Sequence, residues 1–205
     1  MNENQLLIGY LAGAIALLQA VPYLISIIRG HTKPERATYA IWSLVNVLTM
    51  ASYIAAGART TIWVGLAFTT TSIVVFLLSF KFGMGGLNKF DAFCLGLAAV
   101  GIVIWLTTSD PALALYFYVG VKALGYLPTL KKVYYYPKTE NTLSWIMVAS
   151  ASALNLFAIT SWTPQIALFP LYAVAADLLL AVILVTADFH ARKSLRRKLI
   201  GLYEV

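Results

Sequence analysis

Seven apolar runs, each close to the length that crosses a lipid bilayer, follow one another along the chain. A transmembrane helix needs about 20 apolar residues, and polar breaks containing glycine or proline separate the runs. The predicted helices cover Leu6–Ile28, Thr38–Ala56, Thr61–Phe80, Phe90–Trp105, Ala112–Leu130, Leu143–Ile159 and Ile166–Ala187. The sequence therefore predicts an all-α, polytopic membrane protein with seven transmembrane helices.

Composition excludes the main alternatives to this class. Of the 205 residues, 60% are hydrophobic and 11% are charged, whereas soluble domains average about 45–50% apolar and about 25% charged residues. The single cysteine, Cys94, excludes an internal disulfide and a multi-cysteine metal site. The predicted spans contain no histidine and no paired carboxylates, so we expect neither an enzyme nor a bound cofactor.

Lys and Arg residues fall almost entirely on one side of the predicted topology. The loops on the side of the N-terminus contain only Arg59, whereas the other side and the C-terminal tail contain Arg29, Lys33, Arg36, Lys81, Lys89, Lys131, Lys132, Lys138, Arg192, Lys193, Arg196, Arg197 and Lys198. The positive-inside rule places the N-terminus outside and the C-terminus in the cytoplasm, as expected for a bacterial inner membrane protein. The net charge of +7 is therefore a topology signal and does not indicate nucleic acid.

An internal repeat relates the two ends of the chain. Pro22 precedes a basic loop and Trp42, and Pro128 precedes a similar loop and Trp145; each loop contains a Lys, a Pro, a Glu and a Thr. The pattern divides the chain into a three-helix repeat at 1–86, a linker helix at 87–109, a second three-helix repeat at 110–188 and a basic tail at 189–205. Because one helix links them, the two repeats run parallel, and a site is expected between them at mid-depth. A chance match of proline and tryptophan in apolar sequence is the alternative.

The layout and these prolines resemble the PQ-loop superfamily, which includes SWEET sugar transporters, lysosomal amino-acid exporters and KDEL receptors. Pro22 and Pro128 match the family proline in the first helix of each repeat, while Tyr23 and Thr129 occupy the positions of the motif's glutamine. The resemblance covers nearly the whole chain. It implies transport of a small solute by alternating access, or ligand binding by a receptor.

Two charged residues, Lys122 and Asp177, lie well inside predicted spans. Each lies 11 residues after the outer start of its helix, at Pro111 and Ile166, which corresponds to about 16 Å and therefore to the bilayer midplane. Intramembrane charges are functional candidates. The two form an ion pair or flank one cavity, with three roles open: a structural pair, a binding pair for a zwitterion, or proton coupling through Asp177.

Uncharged polar residues at depth extend the candidate site. Gln19, Asn46 and Asn155 are the largest, and Ser72 aligns with Asp177 in the other repeat. They line a polar path or simply bond a neighbouring helix.

Prolines and tryptophans are candidates for moving parts. Pro22 and Pro128 kink their helices and serve either as hinges or as static packing kinks. Trp42 and Trp145 belong either to an interfacial belt or to a gate that contacts the solute. The tail is predicted to be solvated or to lie on the membrane surface.

The sequence thus predicts a transporter of a small polar or zwitterionic solute, such as an amino acid, a sugar or a vitamin-like compound. Its partners would be the solute, protons and the lipid bilayer, and a homo-oligomer is an option. A seven-helix receptor or sensor that binds a ligand without moving it is the alternative function.

Overall fold

The structure is a computed structural model that describes the backbone of residues 3–86 and 89–203. Side chains are described over the same ranges except at residue 91 and from residue 190 onward. Every regular element within these ranges is helical. The elements are α1 (Glu3–Leu18), α2 (Ala20–Ile28), α3 (Arg36–Ala55), α4 (Ile62–Phe82), α5 (Lys89–Thr108), α6 (Pro111–Tyr135), the 3₁₀ turn Pro137–Thr139, α7 (Thr142–Leu156) and α8 (Pro164–Tyr203).

Five helical segments are long and apolar enough to span a membrane: Glu3–Ile28, Arg36–Ala55, Ile62–Phe82, Pro111–Tyr135 and Pro164–Phe189. Two further apolar helices, Ala92–Thr108 and Thr142–Leu156, are shorter. The 15 residues of α7 rise about 22 Å, less than the hydrocarbon core of about 30 Å. The prediction of a helical, integral membrane protein is confirmed at this level.

The first predicted helix, 6–28, is broken rather than continuous. It ends as α1 at Leu18 and resumes as α2 at Ala20. Pro22 has no backbone N–H, so the carbonyl of Leu18 loses its usual helical donor. The next bond, from Tyr23 N to the Gln19 carbonyl, is 3.4 Å long. The proline identified in the sequence therefore accounts for the break, although the break lies three residues before it.

Two other prolines lie inside helices that continue through them, Pro128 in α6 and Pro170 in α8. Pro170 leaves the carbonyl of Ile166 without its helical donor. The hydroxyl of Tyr53 in α3 replaces that donor with a 2.7 Å hydrogen bond. A side chain from another helix thus satisfies the carbonyl that Pro170 leaves without a donor, as buried backbone requires.

The last helix is longer than its predicted span of 166–187. The backbone of α8 continues to Tyr203, so much of the predicted tail at 189–205 is helical. No proline lies beyond Pro170, and the only glycine in that stretch is Gly201, so nothing local ends the helix earlier. The basic side chains of the tail lie outside the described residues.

The helices pack as two groups, and in each group the last helix packs against the two others. In the first group α4 packs against both α1 and α3, and in the second α8 packs against both α6 and α7. The groups meet through α1 against α7 and through α3 against α6, while α5 packs on α6 and α3. We call α1–α4 the first half and α6–α8 the second half. Their interface holds the candidate site.

Small residues set the closest approach within the first half. A Cβ atom on Gly9 would lie 2.0 Å from the carbonyl oxygen of Thr60, and one on Gly13 would lie 2.5 Å from Cβ of Trp63. Glycine at these positions lets the α1 backbone approach α4 and the turn before it. Such small-residue contacts are the usual means of packing helices in membranes, where lipid is as apolar as the side chains.

Candidate functional site

A cavity of about 80 Å³ lies between the two halves. On the same measure a water molecule needs about 10–15 Å³, so the space suits several waters or the polar part of a small solute. Its walls come from both halves and combine aromatic and polar side chains. They are formed by Gln19, Tyr23, Tyr39, Trp42, Asn46, Phe68, Thr71, Ser72, Lys122, Tyr126, Ser144, Trp145, Val148, Tyr172, Ala173, Ala176 and Asp177.

Lys122 and Asp177 border this cavity without bonding each other. Each is only 6% exposed, and among the described side chains no N···O contact of 4.0 Å or less joins them. The ammonium of Lys122 lies 4.6 Å from the ring centroid of Phe169 and 5.7 Å from that of Tyr172. Of the two predicted arrangements, this conformation has the charges flanking one cavity and lacks the direct ion pair.

Asp177 is held by a neighbouring helix. Its Oδ2 atom accepts a 2.6 Å hydrogen bond from the hydroxyl of Ser152 in α7. Because a hydrogen bond to a charged group is stronger than a neutral one, this contact orients the carboxylate at the cavity wall. Ser152 does not itself line the cavity, so it acts through Asp177.

Three of the four uncharged polar candidates lie at the cavity, namely Gln19, Asn46 and Ser72. Asn46 donates a 3.1 Å hydrogen bond to the Ser72 hydroxyl, which in turn donates to the Thr69 carbonyl at 2.9 Å. The pair links α3 to α4 in the first half. Its counterpart in the second half is the Ser152–Asp177 bond between α7 and α8. The two charged residues that line the cavity, Lys122 and Asp177, both belong to the second half.

Asn155 lies away from the other candidates. Its amide donates a 3.2 Å hydrogen bond to the carbonyl of Thr61, on the turn that precedes α4, and it does not line the cavity. Asn155 therefore bonds a neighbouring segment, which was the second of the two roles open to such residues.

Aromatic side chains form one wall. Trp42 and Trp145 are buried, and their ring centroids are 6.4 Å apart. The ring of Tyr126 lies 5.2 Å from Trp42 and 6.3 Å from Trp145, while Tyr39 lies 5.2 Å from Trp42. The two tryptophans thus meet where the halves join, instead of facing outward as an interfacial belt.

Pro22 and Pro128 do not line the cavity.

Sequence reasoning missed Glu140, the acidic residue between α6 and α7. It is 8% exposed and forms an ion pair with Lys132. Its Oε2 atom also accepts hydrogen bonds from the Tyr23 hydroxyl at 2.9 Å and the Trp145 indole at 3.0 Å. The only signal was that both basic loops contain a glutamate, and glutamates in basic loops are usually solvated.

Hydrogen bonds join the halves at both ends of their interface. At the end that carries Lys33 and Lys132, which we call the basic end, Lys33 N donates to the Thr139 carbonyl at 3.1 Å and Lys132 Nζ donates to the Lys33 carbonyl at 2.8 Å. At the opposite end, Thr60 donates to the Ala158 carbonyl at 2.6 Å and Gln5 to the Ile159 carbonyl at 2.7 Å. The cavity lies between these two sets of contacts.

Comparison of the chain with protein-family models, with curated proteins and with solved structures finds no match.

Proposed function

We propose that this protein is a membrane carrier that moves a small polar or zwitterionic solute by alternating access. The observation that carries the proposal is the polar cavity between two similarly packed helix groups, with Lys122 and Asp177 in its wall. Membrane carriers built from repeats bind substrate at such an interface near mid-depth. Burial of a charge in a membrane costs free energy, so charged residues there are rare and usually serve a function.

Helix packing supports two parallel three-helix repeats with α5 as the linker. The third helix of each group, α4 or α8, packs against the other two in both cases. If α1 corresponds to α6 and α3 to α7, the contact of α1 with α7 has its counterpart in the contact of α6 with α3. Both contacts are present. In this proposal α5 and α7 also span the membrane, which gives seven spans, and Pro22 with Pro128 relates the chain to the PQ-loop superfamily.

The proposed orientation follows from charge. With the basic end in the cytoplasm, the N-terminus lies outside and the C-terminus inside, in accordance with the positive-inside rule. A bacterial inner membrane is the proposed location. Rocking of the two halves about the cavity would then expose the site alternately to either side.

The charges at the cavity favour a zwitterionic solute. A carboxylate on the solute would pair with the Lys122 ammonium and an ammonium group with the Asp177 carboxylate. Both partners lie in the second half, whereas the first half offers neutral Gln19, Asn46 and Ser72. Asp177 is also the proposed coupling site if protons drive transport.

Counterflow in proteoliposomes tests this function. Purified protein would first be screened by thermal shift against amino acids, sugars, nucleosides and vitamins, because a solute that binds the folded state raises its stability. Solutes that stabilise the protein would then be assayed with labelled compound outside and an excess of unlabelled compound inside. We expect transient accumulation of label for at least one solute. A stabilising ligand that never accumulates would instead support the receptor function.

A further inference from the structure

We propose that Glu140 is the residue that closes the basic end of the cavity, and that it does so by positioning Tyr23 and Trp145. The inference rests on the proposed carrier function, because closing one end matters only if the site opens alternately. Glu140 does not line the cavity itself. It is therefore a positioning residue and acts through Tyr23 and Trp145, the two cavity-lining side chains that donate to its carboxylate.

One carboxylate bonds side chains from both halves. Tyr23 belongs to α2 in the first half, whereas Trp145 belongs to α7 and Lys132 to α6 in the second. All three donate to Glu140. A buried carboxylate needs such donors because an unpaired charge in this environment is costly. Separating the halves at this end therefore requires Glu140 to lose at least its bond to Tyr23.

The network continues directly into the cavity wall. Tyr39 donates a 2.8 Å hydrogen bond to the Tyr23 hydroxyl, so a chain of bonds runs from Tyr39 through Tyr23 to Glu140. Tyr23, Tyr39 and Trp145 all border the cavity, and all are buried. The side chains that separate the cavity from the basic end are thus the ones that Glu140 holds in place.

The opposite end is built differently. There the acceptors are backbone carbonyls and the donors are uncharged side chains. The pairs are Thr60 with Ala158, Gln5 with Ile159, Asn155 with Thr61 and Tyr53 with Ile166. No single side chain collects these bonds. Loss of one carboxylate should therefore loosen the basic end and leave the opposite end closed, which makes the prediction specific to one face of the membrane.

The first half supplies a matched control. Glu35 lies in the corresponding basic loop, but its Oε2 accepts a 2.7 Å hydrogen bond from Thr38 N and caps α3. Its backbone pairs with Met84, also in the first half. Glu35→Gln thus removes an equivalent charge from the same end of the protein without removing a bond between the halves.

The experiment measures access to the cavity from each face. In a Cys94→Ala background, Ala173→Cys provides a reporter in the cavity wall, and the probe is a membrane-impermeant trimethylammonium methanethiosulfonate applied to one face of oriented proteoliposomes. We expect Glu140→Gln to raise the labelling rate from the basic face about tenfold or more, the scale of a lost charge-assisted hydrogen bond. Labelling from the other face, and labelling of Glu35→Gln from either face, should not change.

Tyr23→Phe provides a second test that retains the aromatic ring and the buried charge. It removes the one bond to Glu140 that joins the halves, together with the Tyr39 bond inside the first half, and leaves the Lys132 and Trp145 bonds to Glu140. It should therefore raise labelling from the basic face by a smaller factor. Unchanged labelling in both variants, or an equal rise from both faces, would overturn the proposal. Because labelling requires no transport, flux in the wild type without a labelling change contradicts only the role of Glu140. A labelling change in a protein that moves none of the tested solutes contradicts only the carrier function.

Discussion

Ser152 donates a 2.6 Å hydrogen bond to Oδ2 of Asp177 and thereby joins α7 to α8 at the cavity wall. Both side chains are buried. The bond fixes the direction in which the carboxylate can meet a solute, since a hydroxyl donor occupies one of its two oxygens.

Asp177→Asn should severely impair transport, because the amide can no longer neutralise an ammonium group or carry a proton. Ser152→Ala should lower transport less, by roughly tenfold to a hundredfold, corresponding to loss of one hydrogen bond to a charged group. Ser150→Ala is the control, since Ser150 is exposed and, among the described residues, its hydroxyl bonds only the Ile146 carbonyl in its own helix. Initial rates of uptake into proteoliposomes provide the measurement, and near-normal rates in Asp177→Asn would exclude Asp177 from the site.

Lys122→Ala should also severely impair transport. The substitution removes the cation from the cavity wall and leaves a space against Phe169, over whose ring the ammonium lies. Lys131→Ala is the matched control, because it removes a charge from an exposed position on the same helix. Solute affinity and uptake rate should both fall in Lys122→Ala and remain near wild type in Lys131→Ala. Wild-type uptake in both Lys122→Ala and Asp177→Asn would contradict the proposed binding pair.

Tyr53→Phe should destabilise the protein by about 1–2 kcal/mol, the scale of a buried interhelical hydrogen bond in a membrane protein. The Tyr53 hydroxyl bonds both the Ile166 carbonyl and the Thr61 hydroxyl, and the first bond replaces the donor lost at Pro170. Tyr118→Phe is the control, because the buried hydroxyl of Tyr118 has no partner among the described residues. Unfolding in detergent followed by circular dichroism should show a loss for Tyr53→Phe alone. Equal stability of the two variants would refute the repair of α8 by Tyr53.

Pro22→Ala should slow transport while leaving solute affinity near wild type, if the break between α1 and α2 acts as a hinge. Alanine restores the N–H that the Leu18 carbonyl lacks, so the helix should straighten and stiffen. We expect the same direction for Pro128→Ala. Pro164→Ala is the control, since Pro164 begins α8, where proline costs nothing. Wild-type transport in both Pro22→Ala and Pro128→Ala would favour static packing kinks.

The membrane class of this protein was readable from local sequence. Each apolar run makes its backbone hydrogen bonds within one helix and needs no partner segment to do so. Run length and composition are therefore sufficient to predict a span. The predicted starts and ends of the helices therefore agree with the structure to within a few residues at most boundaries, such as 61–80 against Ile62–Phe82. Position along a span is equally local, which is why the sequence predicts Lys122 and Asp177 inside spans; both lie in candidate spans and are buried in the structure.

Contacts between helices were not readable in this way. Asn46 and Asn155 look alike in sequence, yet only Asn46 borders the cavity, because the rotation of each helix decides which face meets the other half. Glu140 lies in a loop that sequence alone would leave in water. It is buried because the tertiary fold brings Tyr23, Lys132 and Trp145 together around it. The sequence by itself determined that the chain has helices long and apolar enough to span a membrane, since that property depends on each helix separately. Only the tertiary structure decided which polar groups meet, since those contacts join different elements of the chain, which are 117 positions apart in the case of Tyr23 and Glu140.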